Sequence, residues 1–212
     1  MKTLSFLLFI WVSVSCFAMA ADAPKPAVVQ RSQDWTLDVQ YEHLQQIMLR
    51  PADGGHPVRY WYLIMTVTNN AGKDVEFFPQ CEMMTDTFQI TQAGIGVPPE
   101  VFEKIKERHL GMYPFLEPLE AEGTRILQGR DNTRDFAIIW PDFDPQAKQI
   151  SLFIAGLSNE TVVVENPAGE EGAEPEKVFL RKTLELDYTF AGDAAFRANP
   201  NMTFAGASWI MR

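Results

Sequence analysis

The chain has 212 residues, with 18 Lys+Arg, 28 Asp+Glu and 3 His, a formal charge of −10, 46% hydrophobic and 22% charged residues. These proportions belong to a globular protein and exclude general disorder. The acidic balance argues against a nucleic-acid partner, because neutralising phosphates takes a basic patch.

Lys2 opens the chain with a positive charge, an apolar run from Leu4 to Val12 follows, and Ala18-Met19-Ala20 ends it. Charge, apolar stretch and A-x-A site in that order predict a secretory signal peptide over 1–20. An uncleaved anchor needs about 20 apolar residues, and Ser13 and Ser15 break this run. A lipoprotein reading through Cys16 is weaker, because Ser13 stands where a lipobox carries Leu. Cleavage after Ala20 removes Cys16 and leaves Cys81 as the one thiol. Burial is the ordinary fate of such a cysteine, and intermolecular pairing is the alternative. The expected location is periplasmic or secreted.

Residues 21–33 carry Pro24 and Pro26 and read as a mobile leader. From Asp34 the chain alternates, with Trp35, Leu37, Val39 and Tyr41 on one face. A second strand is expected within 44–50, before the turn chemistry of Pro51 to Gly55. Val58–Thr68 is the strongest strand. It is apolar on much of both faces, which places it centrally. Strands are expected at 75–78 and 88–91. Pro99 and Glu100 then suit the first turn of a short helix over about 99–110, with Val101, Phe102, Ile105 and Leu110 on its apolar side. The next strands fall at 123–128, around Phe136, Ile138 and Trp140, at 150–157 and at Thr161–Glu165. Residues 165–176 hold Glu170, Glu171, Glu174 and Glu176 and read as an acidic hairpin loop, a solvated tip or a docking surface for a basic partner. From Val178 to Phe190 one face is apolar and the other polar, as in a one-sided antiparallel strand. In the tail, 191–212, Trp209, Ile210 and Met211 can dock as a last strand.

One mostly antiparallel domain over 34–190 follows. The expected fold is mostly β, an immunoglobulin-like antiparallel β-sandwich with one short inserted helix; a jelly roll or barrel is the other solution. Val67-Thr68-Asn69-Asn70-Ala71-Gly72-Lys73-Asp74, a strand and an Asn/Gly turn, resembles the strand pair of exported bacterial immunoglobulin-like domains. The corner Trp140-Pro141-Asp142-Phe143-Asp144-Pro145, running into residues 150–156, is similar to a later strand pair of such proteins. The resemblance implies a fold and an exported context. It carries no catalytic residue, and the Cys…Trp…Cys set of antibody domains is absent.

Chemistry-bearing patterns are sparse. His43, His56 and His109 form no H-x-x-x-H. Cys81, Met83, Met84, His109 and Met112 offer the soft ligands that select Cu(I), provided folding unites them. Asp142 and Asp144 form a D-x-D that suits calcium or, more simply, an Asp-stabilised turn. No G-x-S-x-G elbow occurs. The expectation is therefore a non-enzymatic binding or structural domain of the cell envelope, contacting a protein or a surface polymer through aromatics such as Tyr60, Tyr62 and Trp209. The alternative is a periplasmic copper or calcium protein, or an enzyme whose site assembles only in the fold.

Overall fold

The computed structural model describes residues 21–22, 33–51, 54–119, 124–165, 177–192 and 202–212. The signal segment, most of the leader and the acidic loop 166–176 lie outside them. In chain order the strands are β1 (Ala21–Asp22), β2 (Asp38–Tyr41), β3 (Gln45–Leu49), β4 (Val58–Thr68), β5 (Val75–Phe77), β6 (Gln80–Thr85) and β7 (Ile90–Gln92). The helix α1 (Pro99–His109) follows, then β8 (Glu117–Pro118), β9 (Thr124–Ile126), β10 (Arg134–Pro141), β11 (Gln149–Ala155), β12 (Thr161–Glu165), β13 (Lys177–Phe190) and β14 (Met202–Met211). The fold is mostly β, with α1 as its one regular helix among the described residues.

Two six-stranded sheets form the body. In the first the order is β1-β2-β4-β10-β8, with β3 also on β4; in the second it is β12-β13-β11-β6-β7, with β14 also on β13. A separate pair joins β5 to β9. Pairing is antiparallel except for the two-residue β8–β10 contact. β10 pairs along β4 from Tyr60 to Val67. β2 and β3 share the other edge of β4, one after the other.

Alternation decides what each face of β4 meets. Trp61, Leu63, Met65 and Val67 point between the sheets and pack with Leu152, Ile154, Leu184 and Leu186 of the second sheet. Tyr60, Tyr62 and Ile64 point outward and are covered by Val101 and Ile105 of α1. A strand apolar on both faces thus has a sheet on one side and a helix on the other. α1 is a layer on the first sheet. Its Val101 and Ile105 are buried as expected, whereas Leu110 is 57% exposed, because the helix ends at His109 and the chain turns away.

Sequence periodicity misses β6. Cys81, Met83 and Thr85 alternate inward, and β6 lies in the second sheet beside β11. Cys81, Met83 and Met84 suggest metal ligands, and the inward rhythm of two underneath is only three residues long. The strand expected at 88–91 begins at Ile90, because Phe88 adopts a left-handed φ of 64° in the preceding turn. Ala21–Asp22, expected in a mobile leader, pairs with Tyr41 and Gln40 of β2. Residues 202–211 of the tail pair along β13 from Lys182 to Phe190.

Two fastenings hold the layers. Gly156 has φ +91°, and a Cβ there would stand 2.3 Å from the Phe78 carbonyl oxygen, so only glycine fits where β11 leaves the sheet. Lys182, 2% exposed, lies 2.5 Å from the Glu160 carboxylate, 3.3 Å from Thr36 Oγ1 and 5.4 Å from the Trp209 ring. That buried pair joins β13, the link before β12 and the N-terminal strand region.

Candidate functional site: the groove between β3 and α1

β3 is an edge strand. The even positions of β4 direct their main-chain groups to the β2–β3 side, as the bond from the Glu42 amide to the Ile64 carbonyl shows. Gln45, Ile47 and Leu49 therefore bond to β4, and Gln46 and Met48 turn theirs outward. Among the described residues no strand pairs with that outer edge. Arg108 of α1 donates to the Gln46 carbonyl at 3.1 Å.

Beside this edge runs a groove of about 780 Å³. Its strand side is Ile47 to Arg50. Its helix side is the stripe Glu100, Glu103, Lys104, Glu107 and Arg108, the i, i+3, i+4 spacing of one helix face. A smaller cavity of about 390 Å³ lies against the other side of α1, lined by Ala93, Val97, Phe102, Pro118 and Ile139 among others.

The C-terminal end of the groove rests on a polar network between sheet and helix. Tyr62 Oη lies 2.9 Å from His109 Nε2, 2.9 Å from Gln45 Oε1 and 3.2 Å from Arg108 Nη1. Gln45 Nε2 donates to Glu42 at 2.7 Å, and Tyr113 donates to Glu42 at 2.9 Å. One consistent arrangement has Arg108 and His109 Nε2–H donating to Tyr62, Tyr62 to Gln45, and Gln45 and Tyr113 to the Glu42 carboxylate. Glu42 is 6% exposed and Tyr62 is fully buried.

Burial favours the neutral form of each of these groups. Burial lowers the His109 pKa; the Glu42 charge opposes that shift and the Arg108 charge adds to it. Burial raises Tyr62, against the hydrogen bond and charge of Arg108. Burial and the hydrogen bond to Glu42 push Tyr113 well up. A neutral imidazole and two protonated phenols, each engaged, form a clasp that sets α1 against β3 and β4.

The expected ligand residues are dispersed. Cys81 is buried between the sheets, and burial, aided by the Glu82 charge, drives its thiol pKa far up. His109 is on the opposite side of the first sheet, beside Tyr62. Met112 is 61% exposed beyond the helix. Asp142 accepts from the Trp61 indole at 2.8 Å and faces Arg59 at 3.9 Å. Asp144 accepts from the Gln146 amide at 2.8 Å, the Asp-stabilised turn that D-x-D allowed. Among the described residues no three of His, Cys, Asp and Glu converge as a metal-holding group. His43 stacks 4.8 Å from Phe204, and His56 is exposed. Tyr60 and Tyr62, expected as surface contacts, are buried beneath α1, and Trp209 is half-buried over Lys182.

Sequence reading named His109 and Tyr62 but missed Glu42, Gln45, Arg108 and Tyr113. The signal available was Glu42 itself, an acid directly after the alternating run that ends at Tyr41. Comparison with protein families, with characterised proteins and with solved structures finds no match for this chain. Among the described residues no helix is long and apolar enough to cross a membrane.

Proposed function

We propose that the protein is an exported, non-enzymatic binding domain of the cell envelope, built as an immunoglobulin-like β-sandwich, that takes an extended segment of another protein along β3. The export reading rests on Lys2, the apolar run and Ala18-Met19-Ala20. The observation that carries the binding reading is the outward edge of β3 beside a groove walled by α1. An extended peptide adds to such an edge through main-chain hydrogen bonds, and alternate side chains settle in the groove. β1 already does this on a small scale, lying antiparallel on the neighbouring β2.

A catalytic reading finds no support in the clasp. Its donors and acceptors satisfy one another, and burial favours the neutral forms of its histidine and tyrosines. A general acid or base needs hydrogen-bond reach to its substrate, and these groups are engaged with one another. The groove also balances its charges, with Arg50, Lys104 and Arg108 against Glu100, Glu103 and Glu107. This favours segments of mixed or neutral composition over strongly acidic or basic ones.

The test is a display screen of random linear peptides against the processed protein, repeated with Met48→Pro. Proline removes the outward amide while the inward bonds of Ile47 and Leu49 remain. Peptides enriched on the wild type and lost on the variant support the reading. No enrichment, or enrichment indifferent to M48P, overturns it.

A further inference from the structure

The β12–β13 arm poses a different problem. All five residues of β12 are exposed, with Val162 at 46%, Val163 at 50% and Val164 at 36%. Phe179, opposite Val163, is 65% exposed. β12 stands at the end of its sheet, and its only strand partner among the described residues is β13. Edge strands are ordinarily blunted by lysine, proline or a bulge. Thr161-Val162-Val163-Val164-Glu165 has none of these within its run. A two-stranded ribbon is marginal alone, yet this one is rooted by the buried Lys182–Glu160 pair and by the bond from the Lys182 amide to the Glu160 carbonyl.

We infer that β12 is a homodimer strand, pairing antiparallel with β12 of a second copy about a two-fold axis through Val163. The register follows from the main chain. Arg181 exchanges both its bonds with Arg212 on the β14 side, so Leu180 and Val178 bond to Val162 and Val164. Thr161, Val163 and Glu165 therefore direct their amides and carbonyls to the open edge. Centred on Val163, the two edges match: Val163 faces Val163, and Thr161 faces Glu165, each as a doubly hydrogen-bonded pair.

The side chains match in the same register. On one face Phe179, Val163 and the same two residues of the second copy form one apolar row. On that face each Glu165 lies beside Lys177 of its own arm, with Arg181 of the second copy beyond Thr161 on the other side. On the opposite face Leu180 and Val162 meet Val164 and Val178 of the second copy. Both the apolar and the charged positions are thus self-complementary, the condition for an isologous interface. This assignment is independent of the β3 groove and needs no ligand.

The experiment is analytical ultracentrifugation of the processed protein with cysteine cross-linking. The wild type sediments at twice the monomer mass. Val163→Pro, which removes an outward amide at an exposed position, and Val163→Lys both reduce it to monomer while circular dichroism stays unchanged. Val163→Cys gives a disulfide-linked dimer under mild oxidation, because the paired Cα atoms stand about 5.5 Å apart. Thr161→Cys does not, because four residues of stagger separate the two copies of position 161 by about 13 Å. A wild type that is monomeric at every concentration, an open series of larger species, a dimer that survives V163P, or equal cross-linking at 161 and 163 overturns the inference.

Discussion

The two faces of β4 differ in what covers them and in how they are packed. The inward face is dry: Trp61, Leu63, Met65 and Val67 are each fully buried against the second sheet. The outward face mixes apolar Ile64 with Tyr62, whose hydroxyl reaches Gln45, Arg108 and His109. Burial of apolar surface alone would favour two dry faces. The polar layer instead fixes the height and angle of α1 over β3, which a greasy interface specifies less sharply. The difference teaches that the sheet-to-sheet core holds the molecule together and that the sheet-to-helix layer shapes the groove.

Variants of the dry face should cost most. Trp61→Ala removes a fully buried indole and is expected to destabilise by about 3–5 kcal/mol in chemical denaturation. Lys182→Met leaves the Glu160 carboxylate buried without its cation and should cost a similar amount, about 3–5 kcal/mol. If Trp61→Ala melted like the wild type, the core between the two sheets would not be the main source of stability; if Lys182→Met did, the buried pair would not fasten β13 to the link before β12.

Variants of the polar layer should cost less and act on the groove. Glu42→Leu leaves Gln45 and Tyr113 without their acceptor; about 1–3 kcal/mol is expected from the loss of buried hydrogen bonds. Peptide binding should weaken more than the melting shift implies, because α1 loosens over β3. Equal losses in an inward-face variant and in E42L would erase the distinction between the two faces.

His109 sharpens the comparison through pH. Its folded pKa lies below the ordinary value of about 6.5, so the unfolded chain takes up the proton first. Its contribution is present above the unfolded pKa and is lost as pH falls through the folded one. Between neutral pH and mild acid the wild type should lose more melting temperature than His109→Gln. Parallel curves would contradict the clasp. The smallest effect belongs to the groove rim: Glu103→Ala should change stability by less than about 0.5 kcal/mol and still alter which peptides are selected.

The fold was legible where rhythm was long. β4 and β13 show the period of two over ten residues or more, and α1 announces itself with Pro99 and Glu100. β6 was obscured because Cys81, Met83 and Met84 suggest ligands more strongly than they suggest a strand. The site was mostly illegible. Glu42 and Tyr113 are 71 positions apart, and only the passage of α1 over β4 unites them. Which strands are edges depends on pairing order, so neither the β3 groove nor the β12 arm can be read from local pattern.

The most direct measurement is amide hydrogen exchange at single-residue resolution, with and without a peptide selected on the wild type. Strand addition predicts that the Met48 amide, outward in the free protein, becomes slow when the peptide binds, while the inward core amides of β4 change little. Unchanged exchange at Met48, with protection appearing on another surface, would contradict the account.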